Sequence, residues 1–271
     1  VQAGAAAGEE GAAQAALVEG LAARERGEVR AADGALRQAL AAEPGPLLRS
    51  AVLRALGELS LDVGDDLPAR GWLEEAEALA RDTGGALSAE AGRCLLLRGR
   101  LHRLADQDPA RAAACWERAR RLLEGEEQAQ ALHSLGQVRL ELGEVGAAQD
   151  ALEAALAGCE GDALRAEVLV DLARLRSAQG QHERALDLAR QRVALVHALY
   201  GPQSMPAADT LLLLAGLAEA GQDLESAVSA LDRAVLVLTG LLGADHDETA
   251  MAAAYLLALQ GRLLGAPPPP R

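Results

Sequence analysis

Small and large apolar residues recur along the chain in one spacing: Ala32-x3-Leu36-x2-Ala39, Ala69-x3-Leu73-x2-Ala76, Ala112-x3-Trp116-x2-Ala119, Ala148-x3-Leu152-x2-Ala155 and Ala227-x3-Leu231-x2-Ala234. Residues three and four apart share one face of a helix. Each copy therefore predicts an α-helix with a narrow stripe in which alanines flank one large side chain. A weaker copy starts at Ala185, and successive copies begin 37, 43, 36, 37 and 42 residues apart. A period in that range marks supersecondary units that bury their apolar faces only by stacking on their neighbours.

Short breaks between the stripes end one helix and start the next. Gly27-Glu28 separates an apolar segment over 12–23 from a helix over 29–42, which Glu43-Pro44-Gly45-Pro46 stops. Proline lacks the amide hydrogen a helix interior needs and constrains the residue before it. Corresponding breaks fall at Gly64-Asp65-Asp66, Asp106-Gln107-Asp108-Pro109, Gly143-Glu144, Gly180-Gln181 and Gly221-Gln222-Asp223. Glycine supplies the left-handed conformation at a helix end, and aspartate caps the next start. No segment alternates apolar and polar positions with β-branched residues, so no strands are predicted. The chain reads as all-α, with helices A and B paired across tight turns and a last helix over 247–264 that caps the array.

These units resemble tetratricopeptide repeats. Gly20, Gly27, Ala32, Leu36, Ala39 and Pro44 fall at that family's spacing. Leu56-Gly57 with Gly64, Ala69, Leu73 and Ala76 repeats it, as does Leu135-Gly136 with Gly143, Ala148, Leu152 and Ala155. The third unit departs with Gly99-Arg100 and no turn glycine, and the fifth has Arg192 where the last alanine belongs. Leu199-Tyr200-Gly201 and Leu241-Leu242-Gly243-Ala244-Asp245-His246 lie 42 residues apart. That part, roughly 166–264, is similar to the 42-residue repeats of kinesin light chains, whose helices B are longer; Asp247 stands where that pattern has proline. The resemblance implies one right-handed superhelical solenoid over 1–265, with units at about 13–46, 47–85, 86–124, 126–160, 161–203 and 205–243, the capping helix, and a Pro-rich tail over 266–271.

Composition sets how such helices pack. Half of the residues are apolar, yet there is no Phe or Ile and only two Trp and two Tyr, so the interior is Leu, Ala and Val and the helices approach closely. All 26 basic residues are Arg, and Asn is also missing. Lys, Asn, Ile and Phe share AT-rich codons, so their joint absence reflects a GC-rich genome rather than chemistry. Forty acidic residues leave a net charge of −14, which opposes any sequence-independent grip on phosphate backbones. Nucleic acid is not an expected partner. Cys94, Cys115 and Cys159 are odd in number and form no CxxC, which fits free buried thiols in a reducing compartment and makes the cytoplasm the expected location. No run is long and apolar enough for a membrane span and the start shows no targeting segment, so no membrane partner is expected. A chain running from Val1 to Pro267–Pro270 and Arg271 reads as a segment of something longer.

Searches for chemistry fail broadly. GxSxG, HExxH, a GxGxxG after a strand and paired zinc cysteines are all missing, and a phosphate loop has no Lys to use. Asp245-His246-Asp247-Glu248 has ligand-type side chains, but Asp245 as N-cap with Glu248 three residues on is the simpler reading. His102, His133, His182 and His197 are isolated, and Cys115 beside Trp116 shows no environment that would favour a thiolate. No enzyme, cofactor or metal is expected.

In tetratricopeptide arrays the helices A line a concave groove. The resemblance places Arg54 and Glu58, Leu97 and Leu101, His133 and Gln137, Val170 and Arg174, and Leu212 on it. This mixed stripe suits an extended peptide or a short helix, with arginines able to clamp carboxylates and apolar shelves supplying area. The Lys/Asn clamp that some repeats use for chaperone C-termini cannot form here. The expected function is a non-catalytic scaffold that binds a protein or peptide segment in that groove, within a larger bacterial regulatory protein. The alternative is a self-assembling homo-oligomer built by end-to-end stacking.

Overall fold

The computed structural model describes residues 2–84 and 88–265; the expected Pro-rich tail over 266–271 lies outside the described residues. Among the described residues there are thirteen α-helices and no strand. They are α1 (Gln2–Glu25), α2 (Val29–Ala41), α3 (Pro46–Asp62), α4 (Asp66–Gly84), α5 (Ala89–Leu104), α6 (Pro109–Ala119), α7 (Gly125–Glu141), α8 (Val145–Gly158), α9 (Asp162–Ala178), α10 (His182–Tyr200), α11 (Met205–Ala220), α12 (Leu224–Leu242) and α13 (Asp247–Leu263). They gather into two compact units, Val1–Ala151 and Leu152–Arg271, divided within α8.

In the first unit α1, α3 and α5 lie against α2, α4 and α6 and on the next hairpin, and α1, α3, α5 and α7 also touch one another in succession. Alanines make this possible: Ala32, Ala39, Ala69, Ala76, Ala112 and Ala119 are fully buried. A Cβ on Gly20 would stand 2.7 Å from Leu36 Cγ, one on Gly57 2.7 Å from Leu73 Cγ, and one on Gly99 2.6 Å from Trp116 Cε2. The large residue of each helix B therefore sits over a glycine of its own helix A, where two axes cross with no room for a side chain. It also faces onward, since Leu36 shares a core cluster with Val52, Ala55 and Leu56 of α3. Gly99 thus keeps the third repeat in the pattern from which its sequence departs.

The second unit has its own core. Ala208, Leu211 and Ala215 of α11 cluster with Ala227, Leu231 and Ala234 of α12, and Ala252, Leu256 and Leu259 of α13 close the cluster. Helices α10 and α12 each run for 19 residues and end at Gly201 and Gly243, the longer helices B that the 42-residue spacing predicts.

Gly27, Gly64, Gly143 and Gly180 hold φ near +75° at the A–B turns, a conformation that strains any residue with a Cβ. Two turns differ. Gly221 stands at φ −81°, and Gln222 takes the left-handed position instead; Gln107 does so in the third repeat. A third difference concerns α13, whose N-cap is His246, its Nδ1 accepting from Glu248 N at 3.3 Å, and not Asp245. Asp245 lies one residue too early, in the turn, for its carboxylate to serve the first amides.

Candidate interaction groove

Helices α3, α5 and α7 wall a cavity of about 410 Å³ in the first unit. The helical period of α5 builds one side: Arg93, Leu96, Leu97, Arg100, Arg103 and Leu104 follow one another on the face turned to the cavity. Arg54 and Glu58 of α3 stand opposite, Glu127, Gln130 and Ser134 come from α7, and Trp116 of α6 closes the floor. The indole Nε1 donates to Leu96 O at 3.0 Å, which satisfies the polar end of the ring while its body packs among Ala112, Leu135 and Val138.

Every guanidinium on this wall has a carboxylate partner from a neighbouring helix A. Arg54 pairs with Glu90 at 2.7 Å, Arg93 with Glu127 at 2.6 Å, Arg100 with Asp62 at 3.0 Å and Arg103 with Glu141 at 2.5 Å. Arg24 of α1 reaches Glu58 at 2.8 Å and Asp62 at 2.6 Å, and Arg103 reaches Gln137 at 2.8 Å as well as Glu141. The two forks share one register, an acceptor 34 residues on and another 38 residues on. The Arg93 pKa is raised chiefly by its hydrogen bond to Glu127. The lattice neutralises the wall locally although the chain is strongly acidic.

Of the residues expected on the groove, Arg54, Glu58 and Leu97 line this cavity. Leu101 does not: it is 1 % exposed, enclosed with Leu61, Ala69 and Leu73, and offers a partner no surface. One helical turn beyond Leu97, it has rotated inward toward α4. His133 is buried too, with Gln137 Nε2 3.2 Å from its Nε2. In the second unit Val170 is half-buried, Leu212 packs against the core, and Arg174 is exposed. Arg192, in the place of a ladder alanine, extends its guanidinium to Ala166 O at 3.2 Å and to Thr210 Oγ1. Burial lowers its pKa, and the nearby Arg174 charge adds to that effect.

The sequence reading did not place Arg93, Leu96, Arg100, Arg103 or Leu104 of α5, Trp116 of α6, or Glu127, Gln130 and Ser134 of α7 on this cavity. A signal existed, because Arg93, Leu97, Arg100 and Leu104 recur at helical spacing around the identified Leu97.

The three thiols are free and buried, and burial pushes the Cys94 thiol up to about 12 and raises that of Cys115. Among the described residues, no group of three or more His, Cys, Asp and Glu could hold a metal ion, and no helix is long and apolar enough to cross a membrane.

No family model matches the sequence, and no curated protein matches it either. Solved structures do. The chain is similar to the structure from a functional characterization of Pseudomonas aeruginosa pilF, at 22 % identity and a TM-score of 0.66, covering 92 % of this chain and 99 % of that one. It is similar to the nearly identical TPR-like repeats of a kinesin light chain from Podospora anserina, at 20 % identity and a TM-score of 0.60, covering 72 % and 97 %. The signal transduction ATPase with a tetratricopeptide repeat sensor from Pyrococcus horikoshii reaches a TM-score of 0.75 at 14 % identity, over 94 % of this chain and 39 % of that one. The fold is an all-α helical repeat of the tetratricopeptide type.

Proposed function

We propose that this chain is a protein-interaction scaffold and that the α3–α5–α7 groove holds a segment of a partner protein. The observation that carries this reading is the cavity itself, a shelf of Leu96, Leu97 and Leu104 above Trp116, rimmed by charged groups on both sides. Such a site combines apolar area for an anchoring side chain with polar groups that fix orientation. The paired rim refines the partner's chemistry. A uniformly acidic tail gains little, because Arg54, Arg93, Arg100 and Arg103 already hold carboxylates. A segment with an apolar anchor flanked by both signs of charge exchanges one set of pairs for another and gains the shelf.

Capture from a lysate with the chain as bait, compared with Leu104→Glu, tests the reading. Leu104 is exposed at the end of α5, so its replacement leaves the core intact. The variant is expected to lose the captured protein; equal recovery of the same protein would move the site off this groove.

A further inference from the structure

We infer that α13 carries a self-docking face, on which a second copy of this chain lays its own α13 antiparallel about a two-fold axis. Register shows that this helix is only half covered. An advance of 42 residues carries Gly201 onto Gly243 and α11 onto α13. Ala207, Thr210 and Leu217 map onto Thr249, Ala252 and Leu259, and all six are buried, so both helices dock on the preceding hairpin in the same way. The other face diverges. Ala208, Leu211 and Ala215 of α11 lie buried beneath α12, whereas their counterparts Ala250 and Leu257 are exposed and Ala253 is half-buried. Among the described residues no helix covers that side of α13.

The open face is apolar and carries no charge. Met251 is 65 % exposed, Leu257 69 % and Leu264 85 %, and Ala250 and Ala254 stand open between them. From Thr249 to Gly261 there is no charged side chain, in a chain where 24 % of residues are charged. Charges return only at the ends, with Asp247 and Glu248 in the first turn and Arg262 in the last. That distribution selects the occupant. Two copies laid antiparallel set the acidic turn of each against the basic turn of the other, with opposed helix dipoles. Arg262 has a side chain about half open to solvent, although it also bonds Glu219. A parallel arrangement would bring acid against acid. End-to-end stacking on α1 would oppose the apolar face to a helix with exposed Glu10, Glu19 and Glu25. Antiparallel pairing also puts Ala254 and Leu257 near the axis, where small residues let the backbones approach and leucines interdigitate.

Sedimentation equilibrium over a dilution series of the whole chain tests the inference. A monomer–dimer equilibrium is expected, and Leu257→Glu is expected to weaken it by about thirtyfold or more, as for a central apolar anchor, with circular dichroism unchanged. Ala254→Cys is expected to give a covalent dimer under mild oxidation, since only a symmetric contact brings the same residue of two copies together; the native thiols are buried. A chain that stays monomeric up to high micromolar concentration would overturn the inference. So would species that grow beyond two copies, association indifferent to Leu257→Glu, or Ala254→Cys that resists cross-linking.

Discussion

The smallest residues set the tightest constraint in this fold. Gly57 has no space for a methyl group, because Leu73 Cγ occupies it, and Leu73 is itself fully buried. Gly57→Ala is therefore expected to cost about 1–3 kcal/mol by overpacking, read as a lower urea midpoint, and Leu73→Ala in the same chain should recover part of that loss at the crossing. The reverse logic applies at Gln222, whose side chain is carried at φ +62°. Gln222→Gly relieves the left-handed strain and is expected to stabilise by about 0.5–1 kcal/mol, net of the added freedom of the unfolded chain, seen as a raised thermal midpoint. An unchanged or lowered midpoint would mean that the turn is held by something other than its backbone.

Among elements, the helix pairings were readable from the sequence far more fully than the groove. The ladder alanines and the crossing glycines announce themselves because close packing leaves few residue types that fit, and most turns because a left-handed φ favours glycine. Gly99 is an instructive case: its repeat looks irregular until Trp116 is seen to need the space. Leu101 shows the opposite limit, since an offset borrowed from a family places it on a surface while the rotation of α5 turns it into the core. Charge pairing between helices A was hidden for another reason. Arg103 and its acceptors lie far apart in sequence, and many acids stand at other offsets, so only the stacked helices select the true partners. A local pairing at the end of α6, three and four residues apart in sequence, reports on pH. The Glu117 carboxyl is held at about 2, first by the Arg120 hydrogen bond and next by Arg121, against an ordinary 4.5. A depressed carboxylate contributes stability that is full above its unfolded value and is lost as pH falls through the folded one. Allowing for the exposed side of its arginine partners, the contribution is about 2 kcal/mol. Glu117→Gln is expected to lower the unfolding free energy at pH 7, read from urea titration, by that amount and to make progressively less difference between pH 4.5 and pH 2; a constant gap across that range would remove the linkage.

At the scale of the whole molecule, the consequence of stacking is that free energy stays local. Within each unit, the helices of α1–α7 and of α9–α13 touch their sequence neighbours and little beyond, so a perturbation is felt by neighbours and fades along the unit. Glu77 offers a sharp probe. It is 2 % exposed on α4, it pairs with Arg98 of α5, and it lies 3.5 Å from Arg118 of α6, so one carboxylate ties three consecutive helices. Removing it strands Arg98, which is half-buried, without its counter-charge, a change that costs about 3 kcal/mol when a buried pair loses one member. In a molecule held by one closed core, such a loss would loosen every element together. Here Glu77→Ala is expected to speed amide hydrogen exchange in α4, α5 and α6, less in α3 and α7, and not measurably in α11, α12 and α13. Uniform acceleration across all helices would show that the chain unfolds as one cooperative body, and the nearest-neighbour account of its stability would then fail even though the contacts themselves stand.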